Sequence, residues 1–452
     1  MKIRRISEFQ SRLNFPNFDS NYDKYLQSFQ STELGMIYNA IPWQELVKTF
    51  GLSNKKKGPS SIFSPRGKLA LMFLKNYCSC SDKKLIAQFN GNIFYQIFCD
   101  SLLDPGQQLE NFKIVSQIRC ELAEQLDIDK AEKVLITYWK PYMSDLGSIT
   151  TDATCYESSI KYPTDAKLLM DSVDWIYSQI QVSSRNNQLP MPRTKYKKWK
   201  RRSVSYSKMR QKRKKKRIPL LRGLLRLLTK LIPILEELEL NYGFNSINAK
   251  YLRKRQTIKT ILKQQSDKFY KGKRPKQAIV SIDKPYIRPI VRGKENKPVE
   301  FGAKLNKLQI DGISFIEYVS FEAFHEGNRL QKTIWKAQKL TGKRVKIVGA
   351  DAIYATNANR KYTSSKNIQT DFKPKGRPGK NTKHKKQLAA IITKERASRL
   401  EGSFGTDKNY FLLNKIKART KQTEIFWIFL GIHSSNALNI GRRMSLKIAQ
   451  AA

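Results

Sequence analysis

The chain has 452 residues, with 86 lysines and arginines against 37 acids and a formal net charge of +49 at pH 7. Its 40% hydrophobic and 11% aromatic content describes a folded chain of two or three domains rather than a basic tail, which disfavours a ribosomal or RNA-packaging protein and makes a polyanion the expected partner. Five scattered cysteines without a CxxC pair and only three histidines exclude a disulfide framework and argue against a zinc hydrolase or a His-rich nuclease centre.

The first residues are basic but no apolar run follows them, so no signal peptide is expected, which with unpaired cysteines suits a reducing cytoplasm. From about residue 30 to 145 the apolar spacing is helical. Leu34–Lys48 reads as two helices around Ile41-Pro42, Pro65–Lys75 follows a Ser64 cap, and Ser81 opens another helix. Asn90-Gly91 and Asp104–Gly106 mark turns before a helix at Leu109–Leu126. Residues 1–145 are therefore expected as an all-α domain, for which DNA-end recognition and plain packing both stand as readings.

At residues 147–155 the period switches to two, and Thr150, Asp152 and Thr154 share one strand face. Residues 164–276 then form a long, mostly helical insertion. Within it, residues 195–217 hold fourteen lysines or arginines and no acid, with Tyr196, Trp199 and Tyr206 interleaved. Lys197, Lys198, Lys200, Arg201, Arg202, Arg210, Lys212, Arg213 and Lys214 are the expected phosphate contacts of an arm whose rings can stack on unpaired bases; the alternative is a solvated basic loop. Ile218–Leu240 carries Arg222, Arg226 and Lys230 every four residues, together with Pro219 and Pro233. That is a basic stripe on an amphipathic helix, not a membrane span. Asn248–Tyr270 is a further basic helix.

From residue 277 the period returns to two. Ile279–Asp283 is extended, Gly293–Pro298 a turn, and Phe301–Ile310 and Ile313–Phe324 form a hairpin around Asp311-Gly312. There follow a helix at Arg329–Leu340, an apolar strand ending at Asp351, a Thr356-capped helix and a short strand near Ile368–Phe372. A basic Gly/Pro-rich segment, Lys373–Lys386, reads as a linker or as a DNA contact, and leads into the helix of Glu401. This order predicts an α+β or α/β fold in which 146–163 and 277–452 build an RNase H-like mixed-sheet catalytic domain.

Two strand aspartates and a helix glutamate, Asp152, Asp351 and Glu401, make a candidate two-metal site, because hard cations take carboxylate oxygens and a pair of Mg²⁺ ions about 4 Å apart can activate a nucleophile and steady a leaving oxygen. Glu401 and Lys408 are seven residues apart, about two helical turns, so both leave one face, and Lys415 prolongs the row. The three carboxylates are expected to converge, with Lys408 turned to DNA. His325, beside Glu326, reads as a satisfied strand-edge histidine.

Thr151-Asp-Ala-Thr154, Glu300–Lys304, Gly349–Tyr354 and Arg399–Lys408, in that order, resemble the DDE transposases of bacterial insertion sequences. The run from Lys75 to Cys99 resembles their helical N-terminal domain. The resemblance implies Asp152, Asp351 and Glu401 as the triad binding two Mg²⁺ or Mn²⁺ ions, and Lys408 as its basic partner. It also implies double-stranded DNA as partner, at terminal inverted repeats and at the target, a homodimer on DNA, no membrane, and a nucleoid-associated place in a bacterial cytoplasm. The family's fuller signature has a tyrosine seven and an arginine four residues before the glutamate. Lys394 and Ala397 stand there instead, and Arg396 and Arg399 are the cations nearby. The 199 residues between the aspartates are accounted for by the 164–276 insertion. A nuclease of the same fold without strand transfer and a non-catalytic nucleic-acid binder remain the alternatives.

Overall fold

The computed structural model describes residues 3–4, 20–54, 61–104, 106–242, 247–291, 298–374 and 382–451. The turn expected at Gly293–Pro298, apart from Pro298, and residues 375–381 of the loop expected at Lys373–Lys386 lie outside these. The chain divides into two compact units, one of residues 1–158, 303–320 and 324–452, the other of 159–302 with 321–323. The helices before residue 145 fall in the same unit as the sheet.

The first unit opens with β1 (Ile3–Arg4) and helices α1 (Ser20–Gln30), α2 (Glu33–Asn39), α3 (Trp43–Thr49), α4 (Pro65–Cys78), α5 (Asp82–Gly91) and α6 (Ile93–Phe98). β2 (Leu102–Leu103), antiparallel to β1, precedes α7 (Lys113–Gln125) and α8 (Ile128–Trp139). Side-chain caps set these starts: Ser64 Oγ accepts the Gly67 amide at 3.0 Å with Pro65 at the first position, and Ser81 accepts the Lys84 amide. Gly91 closes α5 instead of turning the chain, because Asn92 already caps α6 through the Phe94 and Tyr95 amides. α7 begins four residues later than expected, since the Asn90 side chain clamps both backbone groups of Leu109 and holds it out of a helix. β3 (Ser148–Ser158) then carries the chain through the sheet.

The second unit contains α9 (Asp165–Asn186), α10 (Tyr196–Lys208), α11 (Lys214–Tyr242), α12 (Ala249–Lys271) and β4 (Pro289–Val291), which pairs antiparallel with Val299–Phe301. Leu169, Val173, Ile176 and Ile180 of α9 bury against Leu224, Leu228, Leu231 and Leu235 of α11, each set at helical spacing. Ile279–Asp283 forms no strand. The stretch expected as a basic arm is α10 and the start of α11, and its rings face inward. Tyr196 stacks on Tyr177 at 3.7 Å, Trp199 presses on Gly223, and Tyr206 packs on the same core. These rings are spent on packing, not left for bases.

The sheet of the first unit is completed by β5 (Val299–Ile310), β6 (Ile313–Ser320), β7 (Ile347–Ala350), β8 (Gln369–Thr370) and β9 (Lys415–Ile416). Asp311 and Gly312, with φ of 47° and 77°, make the two-residue hairpin turn that the sequence specifies. The order is β6–β5–β3–β7–β8, with β7 parallel to both β3 and β8, and β9 beside the far end of β3. Helices α13 (Leu330–Thr341), α14 (Asn357–Ser365), α15 (Thr382–Glu395) and α16 (Gly402–Tyr410) lie between these strands, and α17 (Lys421–Ala451) follows β9. Because α16 stops at Tyr410, Lys415 sits on β9 and does not prolong the Glu401–Lys408 row. α17 buries Phe426, Phe429, Ile432 and Ile440 against α2, α4, α7 and β6. Among the described residues, no helix is long and apolar enough to cross a membrane.

Candidate active site

Two adjacent parallel strands deliver the aspartates. Thr151 pairs with Ala350 across β3 and β7, so Asp152 and Asp351 stand one step further along, on chains ~4.8 Å apart. Each carboxylate accepts the amide of its following residue, Ala153 and Ala352, at 2.7 Å. Asp351 thereby caps the single 3₁₀ turn Ala352–Tyr354, and buried Tyr354 fixes that turn by donating to Asn306 Oδ1 at 2.5 Å. Gly349, one strand position earlier, has no room for a side chain: a Cβ would lie 2.7 Å from Ile392 of α15. The helix leading to Glu401 therefore lies directly on β7.

Burial pushes the half-buried Asp152 carboxyl up to about 6; the Ala153 amide opposes this, the Glu326 and Asp351 charges add to it, and Arg396 opposes it again. Glu326 is itself held by Lys304 at 2.7 Å, with Lys304 buried over the Phe324 ring. On the other side Asp371 accepts the Ala350 amide at 3.1 Å, and burial raises its carboxyl although that amide and Arg396 pull it down.

Between α15 and α16 the backbone makes one π-helical turn, Arg396–Glu401. Such a turn brings residues five apart into register, and Arg396 Nη1 lies 3.6 Å from Glu401 Oε1 while its Nε lies 3.8 Å from Asp371 Oδ2. The arginine that stands five rather than four residues before the glutamate is thus carried to its side by the wider turn. Among the described residues, no three His, Cys, Asp or Glu side chains are grouped closely enough to hold a metal ion. The expected convergence is therefore incomplete. Asp152 and Asp351 adjoin, whereas the Glu401 side chain, 54% exposed, faces Arg396. The carboxylate oxygens of Asp152 and Asp351 are of the kind that a hard divalent cation takes.

Lys408 is half-buried, donating to Thr154 Oγ1 at 3.3 Å with its ammonium 5.9 Å from the Tyr156 ring. It lies along β3 two residues beyond Asp152 and on the same face, instead of pointing outward as expected. Beneath it, Lys307 Nζ reaches Asp407 Oδ2 at 2.5 Å and Tyr156 donates to the same oxygen at 2.6 Å, all fully buried. Burial lowers the Lys307 ammonium, Asp407 working against that shift, and the pair pins α16 to the sheet. Arg399 pairs with Asp311 at 3.4 Å and with Glu395 at 3.0 Å.

Sequence reasoning passed over Glu326, Asp371, Lys304 and Lys307. The lysines left little trace, since β5 also carries Glu300, Asn306 and Gln309; the two acids left none, as only the fold brings Glu326 to Asp152 and Asp371 to Asp351. In the helical unit, Lys200 pairs with Asp174, Arg202 covers the Trp199 ring at 5.0 Å, and Lys212 donates to the carbonyls of Tyr206, Ser207 and Met209 at 2.6–2.8 Å. Lys212 thus closes the end of α10. Lys197, Lys198, Arg201, Arg210, Arg213 and Lys214 are exposed.

Fold and cluster together define a mixed α/β protein with an acidic site where the end of β7 meets the middle of the parallel strand β3. Residues 348–433, from β7 into α17, match the family model described as transposase DDE domain. The chain thus carries a transposase DDE domain over those residues, a segment that contains Asp351, Arg396, Glu401 and Lys408 and leaves Asp152 outside. Comparison with curated proteins and with solved structures gave no match.

Proposed function

We propose that the protein is the DNA transposase of a bacterial insertion sequence, with an RNase H-like catalytic domain that cuts DNA at the element's ends and joins the 3′-OH to a target. The observation that carries this is the juxtaposition of Asp152, within β3, and Asp351, at the end of the parallel neighbour β7, with Glu401 on the turn after the helix that packs on β7. Mg²⁺ or Mn²⁺ held there would neutralise phosphate charge and activate the attacking oxygen. Asp152 and Asp351 would be the ligands held in place, each oriented by its own backbone contact. Arg396 holds Glu401 and Asp371 in the absence of that charge. Lys408, braced on Thr154, sets α16 against β3. The net charge of +49 supports DNA as the partner, and holding two ends at once calls for a dimer on DNA.

The test is Asp351→Ala. The side chain is exposed, so the fold survives, and cleavage of a duplex carrying the element's end should fall by ~10³-fold or more. Full activity in the variant removes the assignment. A joining assay on the pre-cut 3′ end separates a transposase from a nuclease.

A further inference from the structure

The cations of α11 do something that the acidic site does not. Arg222, Arg226 and Lys230 recur every fourth residue and are exposed, and with Arg193, Lys195 and Trp199 they line a groove of about 620 Å³ in the helical unit. No carboxylate lines it. Among the described residues none of Arg222, Arg226 and Lys230 has an acidic partner: Lys230 donates to the Arg193 carbonyl at 3.3 Å, and the Arg222 guanidinium lies 6.0 Å from the Phe269 ring. The floor is apolar. Trp199 lies so close on Gly223 that any side chain there would overlap its ring, and Leu227 continues the floor. A cleft lined by one sign of charge over a low-dielectric wall focuses the field toward a counter-ion.

We propose that this groove is a DNA-backbone track, in which Arg222, Arg226 and Lys230 meet phosphates of one strand without reading its bases. Four residues of helix rise ~6 Å, so the row spans ~12 Å, over which one strand of a duplex presents three to four phosphates at ~3.4 Å of axis each. The groove offers no side-chain amide or acid for base edges, and its one ring is covered by Gly223 beneath and by Arg202 above, so stacking is not available. The inference rests on the transposase reading for the identity of the polyanion.

The experiment measures binding of the full chain to a duplex of unrelated sequence over a series of salt concentrations. R222A/R226A/K230A should lower affinity about tenfold or more and reduce the slope of log K against log salt by ~2.7, three contacts at ~0.9 each, on end-bearing and unrelated duplexes alike. K250A/R253A/K263A removes equal charge from exposed positions on α12 and should keep the slope. An unchanged slope in the folded groove variant, or an equal loss in both variants, overturns the track. Tighter binding to an RNA duplex than to DNA overturns its assigned partner. Cleavage by the unsubstituted chain, lost in Asp351→Ala, keeps the parent reading whatever the groove variant does; failure of the unsubstituted chain to bind any duplex removes that reading as well.

Discussion

Charge is handled differently in the two units. In the sheet-bearing unit every cation that is taken out of water meets an acid: Lys307 with Asp407, Lys304 with Glu326, and Lys336 with Glu132 at 2.7 Å, the last carboxylate also accepting the Ile316 amide. In the helical unit cations are paired mostly at the surface, as Lys268 is with Asp165 and Lys200 with Asp174, and others, such as Arg222, Arg226 and Lys230, stand exposed beside a leucine core with no acidic partner among the described residues. Complete burial enforces pairing, because an isolated charge in a dry interior is too costly to keep. Surplus charge of one sign is tolerated only where water or a partner can reach it. Among the described residues, such a surplus stands around Asp152 and Asp351 and on the outer faces of α10 and α11. Those are the surfaces assigned here to metal and to DNA.

The comparison breaks most easily at Lys307. Lys307→Met leaves Asp407 buried without a cation, and the unfolding free energy in urea should fall by about 3–5 kcal/mol. Adding Asp407→Leu removes the orphaned charge and should recover most of that loss. A single variant as stable as the parent would show that the pair is incidental and that burial does not dictate matching in this unit.

Asp152 tests the opposite case, a charge that the fold tolerates poorly. Its carboxyl is raised from an ordinary 3.8 to about 6 in the folded chain, so the folded state holds the proton more tightly than the unfolded one. The sign follows: the Asp152 contribution to metal-free stability is most favourable below pH 4, declines as pH rises from about 4 to 6, and carries its full penalty above that. Asp152→Asn should therefore raise metal-free stability at pH 7 by on the order of 2–3 kcal/mol and flatten the decline, while abolishing cleavage. A destabilised variant with the same pH profile would mean that the burial of this carboxylate, with the neighbouring acids, does not strain this site.

Much of this was legible in the sequence where the signal is local. The Asp311-Gly312 hairpin, the Ser64, Ser81 and Thr356 caps and the strand ending at Asp351 depend on a few neighbouring residues, and each lies where its pattern puts it. Asp152 and Asp351 could be singled out because strands repeat every two residues and a polar residue closing an apolar run stands out. What lay beyond reach depended on distant packing. The π-turn that brings Arg396 to Glu401 changes the phase of a helix by one residue, which no spacing reveals. Glu326 meets Asp152 only once β3 and the segment after β6 are in place. The rings of Tyr196 and Trp199 looked available between lysines, yet α9 and α11 supply surfaces that they cover.

The same distinction operates inside the basic segment, at the smallest scale. Lys197, Lys198 and Arg201 stand exposed on α10, so the triple alanine variant should lose ~2.7 from the salt slope of duplex binding with an unchanged melting temperature. Lys212 is one of the same run of cations, but its ammonium is occupied by three carbonyls at the end of α10, where a positive charge also opposes the helix dipole. Lys212→Ala should therefore behave in reverse, lowering stability by about 0.5 kcal/mol and leaving the salt slope as it was. The pair of measurements is decisive because the two variants remove chemically similar groups a few residues apart. If Lys212→Ala instead takes a full contact from the slope and leaves the melting temperature untouched, the carbonyl cap yields to phosphate, and cations in this unit cannot be divided into those that hold the fold and those left for a partner.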